Sequence, residues 1–296
     1  VTRLSDFAGL AGLRILRDGS FDVTGKLSTP LRGLCVPLRS AKYVSEVNEN
    51  ANVAAVITKP DVAELVDQAL AVAVTDDPDA AHSEIHARLA EQHNARLRLM
   101  ETEIDSAAVI DPTARIADHG VKIGARSWIG PNVCVRPGVT IESDCVLHSG
   151  VSLGMPGFNT GIIGGRQRIV PQIGGVRLMP FVELLSNVCV AKALFGGYTT
   201  LGEEVVADNL VYIAHDVQIG KRVQICALVN ILGRAIIGDG AYIGPSSVIK
   251  NGLTIGAGAK VSIGAVVTRN VADREVVSGN FAIEHSRFLD HIRSIR

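Results

Sequence analysis

Several catalytic signatures are missing from this chain of 296 residues. It has no GxSxG nucleophile turn, no phosphate-cradling glycine loop and no CxxC pair, so serine hydrolase, nucleotide triphosphatase and dithiol redox chemistry lose their usual carriers. Charge of one sign is missing too. Lysine plus arginine number 29 against 30 aspartate plus glutamate, with no basic run, and a nucleic-acid partner is not expected. The five cysteines lack metal-ligand spacing. Cys145 falls where a small inward filler belongs, and a reducing compartment fits better than a disulfide scaffold. No apolar run is long enough for a membrane span. The patch from Phe7 to Leu16 is broken by Arg14 and has neither a basic lead nor a cleavage site. A cytoplasmic location is the resulting expectation.

What the chain does have is a period. From Leu201 to Val267 every sixth residue is apolar: Leu201, Ala207, Ile213, Ile219 and onward to Ile255, Val261 and Val267. With 47% hydrophobic residues overall, chance would give such a run roughly once in ten thousand tries. The fourth residue after each anchor is also small or apolar, as at Val205, Val211, Val217 and Val223, and glycine often follows the anchor directly. Neither a 3.6-residue helix nor a long two-residue alternation produces this pattern. A parallel β-helix does, with three hexapeptides closing a triangular coil and coils stacking at ~4.8 Å.

The same period runs from Ile104 to Leu153, slips by one residue after Ile116, and breaks at the glycine-rich stretch 154–172. A long loop that leaves a solenoid and returns is read as a functional segment reaching over a cleft, with Phe158 packing on substrate. Residues 1–100 lack the period. Strand-like runs at 21–24, 33–38, 54–58 and 71–75 mix with helices expected at 4–13, 61–69 and 79–97, which predicts a small α/β domain. The β-helix then spans 101–279. Residues 280–296 have helical spacing at Phe281, His285, Phe288, Leu289 and Ile292, and a short helix capping the last coil is expected there.

The histidines hold the candidate chemistry. His82, His86 and His93 lie on a helix expected to be exposed and are read as surface residues, with no third ligand to make the 82/86 pair a metal site. His119 and His148 take outer coil positions, His285 and His291 the tail. His215, in DNLVYIAHDVQIG, points outward two residues after Ile213. One coil ahead stands Gly233, and one hexapeptide back stands Asn209. An imidazole one rung from an unhindered backbone N–H suits acyl transfer, as general base beside an oxyanion donor. A solvated corner histidine fits the spacing equally well.

The segments DNLVYIAHDVQIG, GMPGF and IVPQIGGV resemble the hexapeptide acyltransferase superfamily, and most closely its lipid A branch of amino-sugar N-acyltransferases. The resemblance covers nearly the whole chain. It implies a left-handed coil, a homotrimer with clefts between subunits and no permanently bound cofactor. It places His215 on the catalytic histidine, Gly233 on the oxyanion-hole glycine and Asn209 on an active-site asparagine. Asp208 and Asp216 flank the site, and either is placed to orient the imidazole. Of the aromatic, asparagine and tyrosine that hold the nucleotide base in the lipid A enzyme, the stretch PLRSAKY keeps only Tyr43. A second histidine corresponds to Gly252, and a methionine near the acyl path to Ala265 or Val266. With the short tail, these departures lead to an expected N-acyltransferase that acts on a nucleotide-linked amino sugar and takes a short acyl group from acyl-CoA. The alternatives are the lipid A enzyme with a 3-hydroxyacyl carrier protein as donor, and an acetyltransferase acting on a small acceptor without a nucleotide.

Overall fold

A computed structural model describes residues 2–279, 282 and 284–294. Three parallel sheets of eight, eight and nine short strands wrap one prism-shaped core, which is the mainly β, hexapeptide-built parallel β-helix expected from the period. Coils are eighteen residues apart in register: Tyr212 and Ile213 pair with Asn230 and Ile231, which pair with Val248 and Ile249. The second residue of each two-residue strand turns inward. Leu201, Ile213, Ile231, Ile249 and Val261 are fully buried, as are the corner residues Val205, Val217 and Val229 and the filler Cys145. At most corners from Arg126 onward the chain bends through one residue in the left-handed region, among them Asp216 at φ 61° and Arg234 at φ 63°.

The N-terminal part holds a five-stranded sheet in the order Arg14–Arg17, Ala71–Val74, Val53–Thr58, Leu34–Leu38, Val23–Thr24. Helix α1 (Val44–Glu49) was not foreseen; α2 (Pro78–Leu97) was. The start of α2 is fixed by Asp77, whose carboxylate accepts the Ala80 N–H at 3.0 Å, and by Pro78 in the first turn. Ala81, Ile85 and Leu89 of α2 pack on Phe7 and Phe21 to close one face of the sheet.

Several expectations need correction. The helix at 4–13 is two separate 3-10 turns, Leu4–Phe7 and Leu10–Gly12, parted by Gly9 at φ 82°. The helix at 61–69 shrinks to one 3-10 turn, Ala63–Leu65. There Asn48 takes the Asp67 N–H and Asp67 takes the Ala69 N–H, so side chains satisfy donors that a helix would use. The stretch 154–172 is not an irregular loop. It forms an antiparallel hairpin, Thr160–Ile163 with Arg166–Ile169, turning on Gly164 and Gly165, both at positive φ. A second, shorter insertion at 192–197 went unnoticed; it carries Phe195. Helix α3 (His285–Ser294) lies within the expected tail, with Leu289 exposed and Ile292 half-buried, while Phe281 and Arg296 fall outside the described residues. No helix among the described residues is long and apolar enough to cross a membrane.

The largest correction concerns His82 and His86, which are buried rather than surface residues. Their rings meet the edge of Phe195 at 5.6 and 4.9 Å between centroids. His86 Nε2–H donates to the Pro171 carbonyl at 2.7 Å, and its Nδ1 accepts from the Thr24 hydroxyl at 2.6 Å. This pair therefore rivets the N-terminal domain to both insertions. Burial drives the His82 imidazole down to about 3, helped by the nearby His86, and the His86 imidazole down to about 4. An unfolded chain returns both to about 6.5. Below that value the unfolded state takes up protons that the native state refuses, so stability is lost as pH falls from about 6.5 toward 4. His82 Nε2 has no hydrogen-bond partner among the described residues. His82→Leu is therefore expected to cost little at pH 7.5 and to flatten the decline of melting temperature between pH 6.5 and 4, read by calorimetry across that range.

Candidate active site

His215 and Asp216 occupy one corner of the solenoid, between the strands Tyr212–Ile213 and Gln218–Ile219. Because Asp216 takes the left-handed corner position, which aspartate tolerates, its side chain folds back on its neighbour. Its Oδ2 accepts the His215 Nδ1–H at 2.7 Å, and its Oδ1 accepts the Leu194 N–H at 3.1 Å. The Asp216 N–H is itself held by Thr199 Oγ1 at 2.9 Å. With Nδ1 carrying the proton toward the carboxylate, Nε2 is left as a free base. Of the two flanking acids, Asp216 is the one that orients the ring.

One rung on, Gly233 lies directly against the ring. A Cβ there would sit 2.7 Å from His215 Nε2 and 2.8 Å from Cε1, so no other residue leaves the imidazole in place. The Gly233 N–H donates to no acceptor among the described residues. Its backbone is outside the left-handed region, so alanine meets no strain of its own there. Gly233→Ala is accordingly expected to leave the melting temperature nearly unchanged. Catalytic rate should fall on the order of 100-fold, because displacing a base by about 1 Å has that scale of effect. Steady-state kinetics beside a thermal melt separates the two readouts.

On the other side Gly157 backs onto the His215 Cβ and Cδ2. Gln172, buried at the base of the hairpin, holds that glycine by two bonds of 2.8 Å, accepting its N–H and donating to its carbonyl. The next residue, Phe158, is 82% exposed and overhangs a cavity of about 460 Å³. Lys26 and Ser28 from the N-terminal domain, Phe195 from the second insertion, and Arg234 and Asn251 from the coils also wall this cavity. The Arg234 guanidinium reaches the Ser28 hydroxyl at 3.2 Å and ties the two parts together.

The structure thus gathers His215, Asp216, Gly233 and Phe158. It does not bring Asn209, Asp208 or Tyr43 to the same cavity. One hexapeptide is a third of a coil, which places Asn209 on the next corner. There its Oδ1 accepts the Ser186 N–H and its amide donates to Asp208. Tyr43 is exposed beneath Lys42, whose ammonium is 5.4 Å from the ring centroid. His148 and His119 bind carboxylates of their own, Glu183 at 3.0 Å and Asp118 at 2.5 Å. Asn251 was missed by sequence reasoning, although the eighteen-residue step 215, 233, 251 points to it. Gln172 and Phe195 lie in insertions outside the period, where no spacing signal exists.

A family model described as bacterial transferase hexapeptide (six repeats) matches residues 120–154, and one described as hexapeptide repeat of succinyl-transferase matches 234–269. Between and beyond them the same repeat builds every coil. Over these two segments the chain is similar to hexapeptide-repeat transferases. Similar curated proteins carry the name UDP-3-O-acylglucosamine N-acyltransferase. The one from Anaeromyxobacter dehalogenans is 34% identical over 206 residues, covering 66% of this chain and 58% of its own length. The one from Bordetella pertussis is 28% identical over 291 residues, covering 85% and 78%. This hexapeptide-repeat chain therefore spans little more than half of the first of these relatives. A solved UDP-N-acetylglucosamine O-acyltransferase from Moraxella catarrhalis aligns with 66% of this chain and 79% of its own, at 20% identity and a TM-score of 0.41.

Proposed function

We propose that this protein is an N-acyltransferase that forms an amide on the amino group of a UDP-linked, 3-O-acylated glucosamine. The observation carrying this reading is the free Nε2 of an Asp216-held histidine, poised over Gly233 in a cavity walled by both parts of the chain. The amine attacks the carbonyl of a thioester donor while Nε2 takes its proton. The Gly233 N–H receives the tetrahedral oxyanion, a role that can supply on the order of 3 kcal/mol. As the carbon–sulfur bond breaks, the imidazolium returns the proton to the leaving thiolate, giving amide and thiol.

The relatives' names bear on the acceptor. They describe an acceptor that already carries one acyl chain, and the cavity rim offers apolar groups to such a chain in Phe158, Leu194 and Phe195. We therefore set aside the short acyl-CoA expectation in favour of its alternative, a 3-hydroxyacyl carrier protein. Comparing kcat/KM for that donor and for acetyl-CoA on UDP-3-O-acylglucosamine tests the choice. A preference of tenfold or more for acetyl-CoA, about 1.4 kcal/mol in transition-state binding, reverses it, and no amide with either donor sinks the proposal.

We further infer a homotrimer. The corner bearing Asn209 exposes Leu210 and Leu228, 55% and 51% accessible, although their left-handed backbone favours glycine or a polar residue. Burial against a neighbouring subunit gives both leucines a role and brings Asn209 toward that neighbour's cleft. Light scattering that finds a stable, active monomer removes this part.

A further inference from the structure

A second concavity gathers charge of a single sign. A groove of about 490 Å³ lies toward the N-terminal end of the solenoid, where the end of α2 stops short of the first coils. Its wall takes Arg98 from the residue after α2, Arg115 and Arg136 from neighbouring coils, and Lys192 from the second insertion, with His119 beside them. No aspartate or glutamate lines it, and the Asp118 carboxylate at its edge is taken by His119. Among the described residues none of these four cations makes an ion pair. Elsewhere on the coils some basic side chains are matched, as in Arg126 with Asp144 and Arg177 with Glu142, both at 2.6 Å, and Lys122 with Glu103 at 3.0 Å, whereas Arg222, Lys250, Lys260 and Arg274 stand singly without an ion pair among the described residues.

Simpler accounts cover only part of this. Arg98 follows the C-terminus of α2, where a cation is favoured by the helix carbonyls. Arg115 and Arg136 are exposed and, taken singly, would be solvated surface residues. Lys192 fits neither account. It is half-buried, and burial together with the Arg136 charge lowers its ammonium below the ordinary lysine value. A half-buried cation set beside a second cation, with no acid facing it, is a repulsive arrangement that an anion relieves. The floor of small residues, Ala117, Cys134 and Gly154, keeps the space between the cations open.

We propose that this groove is a binding site for a diphosphate-bearing small molecule, separate from the His215 cavity. Guanidinium groups present paired donors that match phosphate oxygens, and an ammonium adds a point charge on the same side. The groove has the volume of a small-molecule site. The proposal stands independently of the acyl-transfer reading, since it shares no residue with that site.

Calorimetric titration of the full chain with inorganic pyrophosphate at low ionic strength tests it. The expected result is saturable binding, one pyrophosphate per groove, that weakens as salt is raised. The double variant Arg136→Gln/Lys192→Met should lose at least tenfold in affinity. The cavity variant Lys26→Met/Arg234→Gln should bind as the parent does. Without anion, the groove variant should melt at the same temperature or higher, because it relieves like-charge repulsion. Absence of binding, an unchanged affinity in the groove variant, a loss confined to the cavity variant, or a lowered melting temperature in the groove variant overturns the proposal.

Discussion

His215→Ala is expected to reduce the rate of acyl transfer by ~10²–10⁴, the scale of losing a general base, with little change in thermal stability. The ring lies outside the solenoid core, in contact with Asp216, Gly157 and the Gly233 backbone. Its removal therefore opens no cavity among the inward rows. Asp216 keeps one of its bonds, to the Leu194 N–H, and so is not left wholly unpartnered. His215→Asn makes the informative companion: it can keep a donor toward Asp216 but offers no basic nitrogen at the cavity, and should be as inactive as alanine. Single-turnover measurement with saturating donor isolates the chemical step. Retention of more than about a tenth of the parent rate removes His215 as the base, whatever the relatives are called.

Ile225→Asp should have the largest effect on folding. Ile225 is 3% exposed in the middle of the uninterrupted run, with Ala207 on the preceding rung and Ile243 on the following one. The substitution removes aliphatic packing worth about 2–5 kcal/mol and adds a carboxylate to a core in which no lysine or arginine is buried. Against a total stability of about 5–15 kcal/mol for a typical domain, the coil is not expected to survive. The change should appear as loss of the cooperative melt and of the native circular dichroism band. The outward neighbour Gln224 is exposed and supplies the control, since Gln224→Asp should be nearly neutral. A folded Ile225→Asp protein would mean that the six-residue period does not mark the inward rows.

Much of the solenoid was legible because burial and period coincide. An inward position recurs every sixth residue, so Leu201, Ile213 and Ile231 announce both the fold and its register. The stacking of His215 under Gly233 follows from the same arithmetic. What the sequence concealed lies where that arithmetic stops. The hairpin and the Phe195 insertion obey no repeat, so the clip of Gln172 on Gly157 and the edge packing of Phe195 on the histidines carry no spacing signal. His82 and His86 looked solvent-facing because α2 is only weakly amphipathic and polar residues dominate it. Their burial comes from contacts with Thr24 and Pro171, far away in the chain. Asn209 shows the limit of counting by sixes: six residues name the next corner of a coil, whereas eighteen name the next rung.

The register has a consequence for how the chain folds. From Tyr198 to Val267 each strand meets its next partner eighteen residues later, and the last pair, Lys260 with Val276, comes slightly sooner, so every closure is short. Across the hairpin the pairing of Ser152 with Cys189 must close a loop about twice that length before any contact rewards it, and the second insertion lengthens the step from Val190 to Ile213. A nucleus that forms among the regular coils and grows outward by nearest-neighbour addition meets this barrier only when it reaches the earlier coils. The cavity straddles that junction. The last segment to lock into place during folding is then the one that sets Gly157 and Phe158 against His215, and the imidazole gains its surroundings only once the whole solenoid is in register.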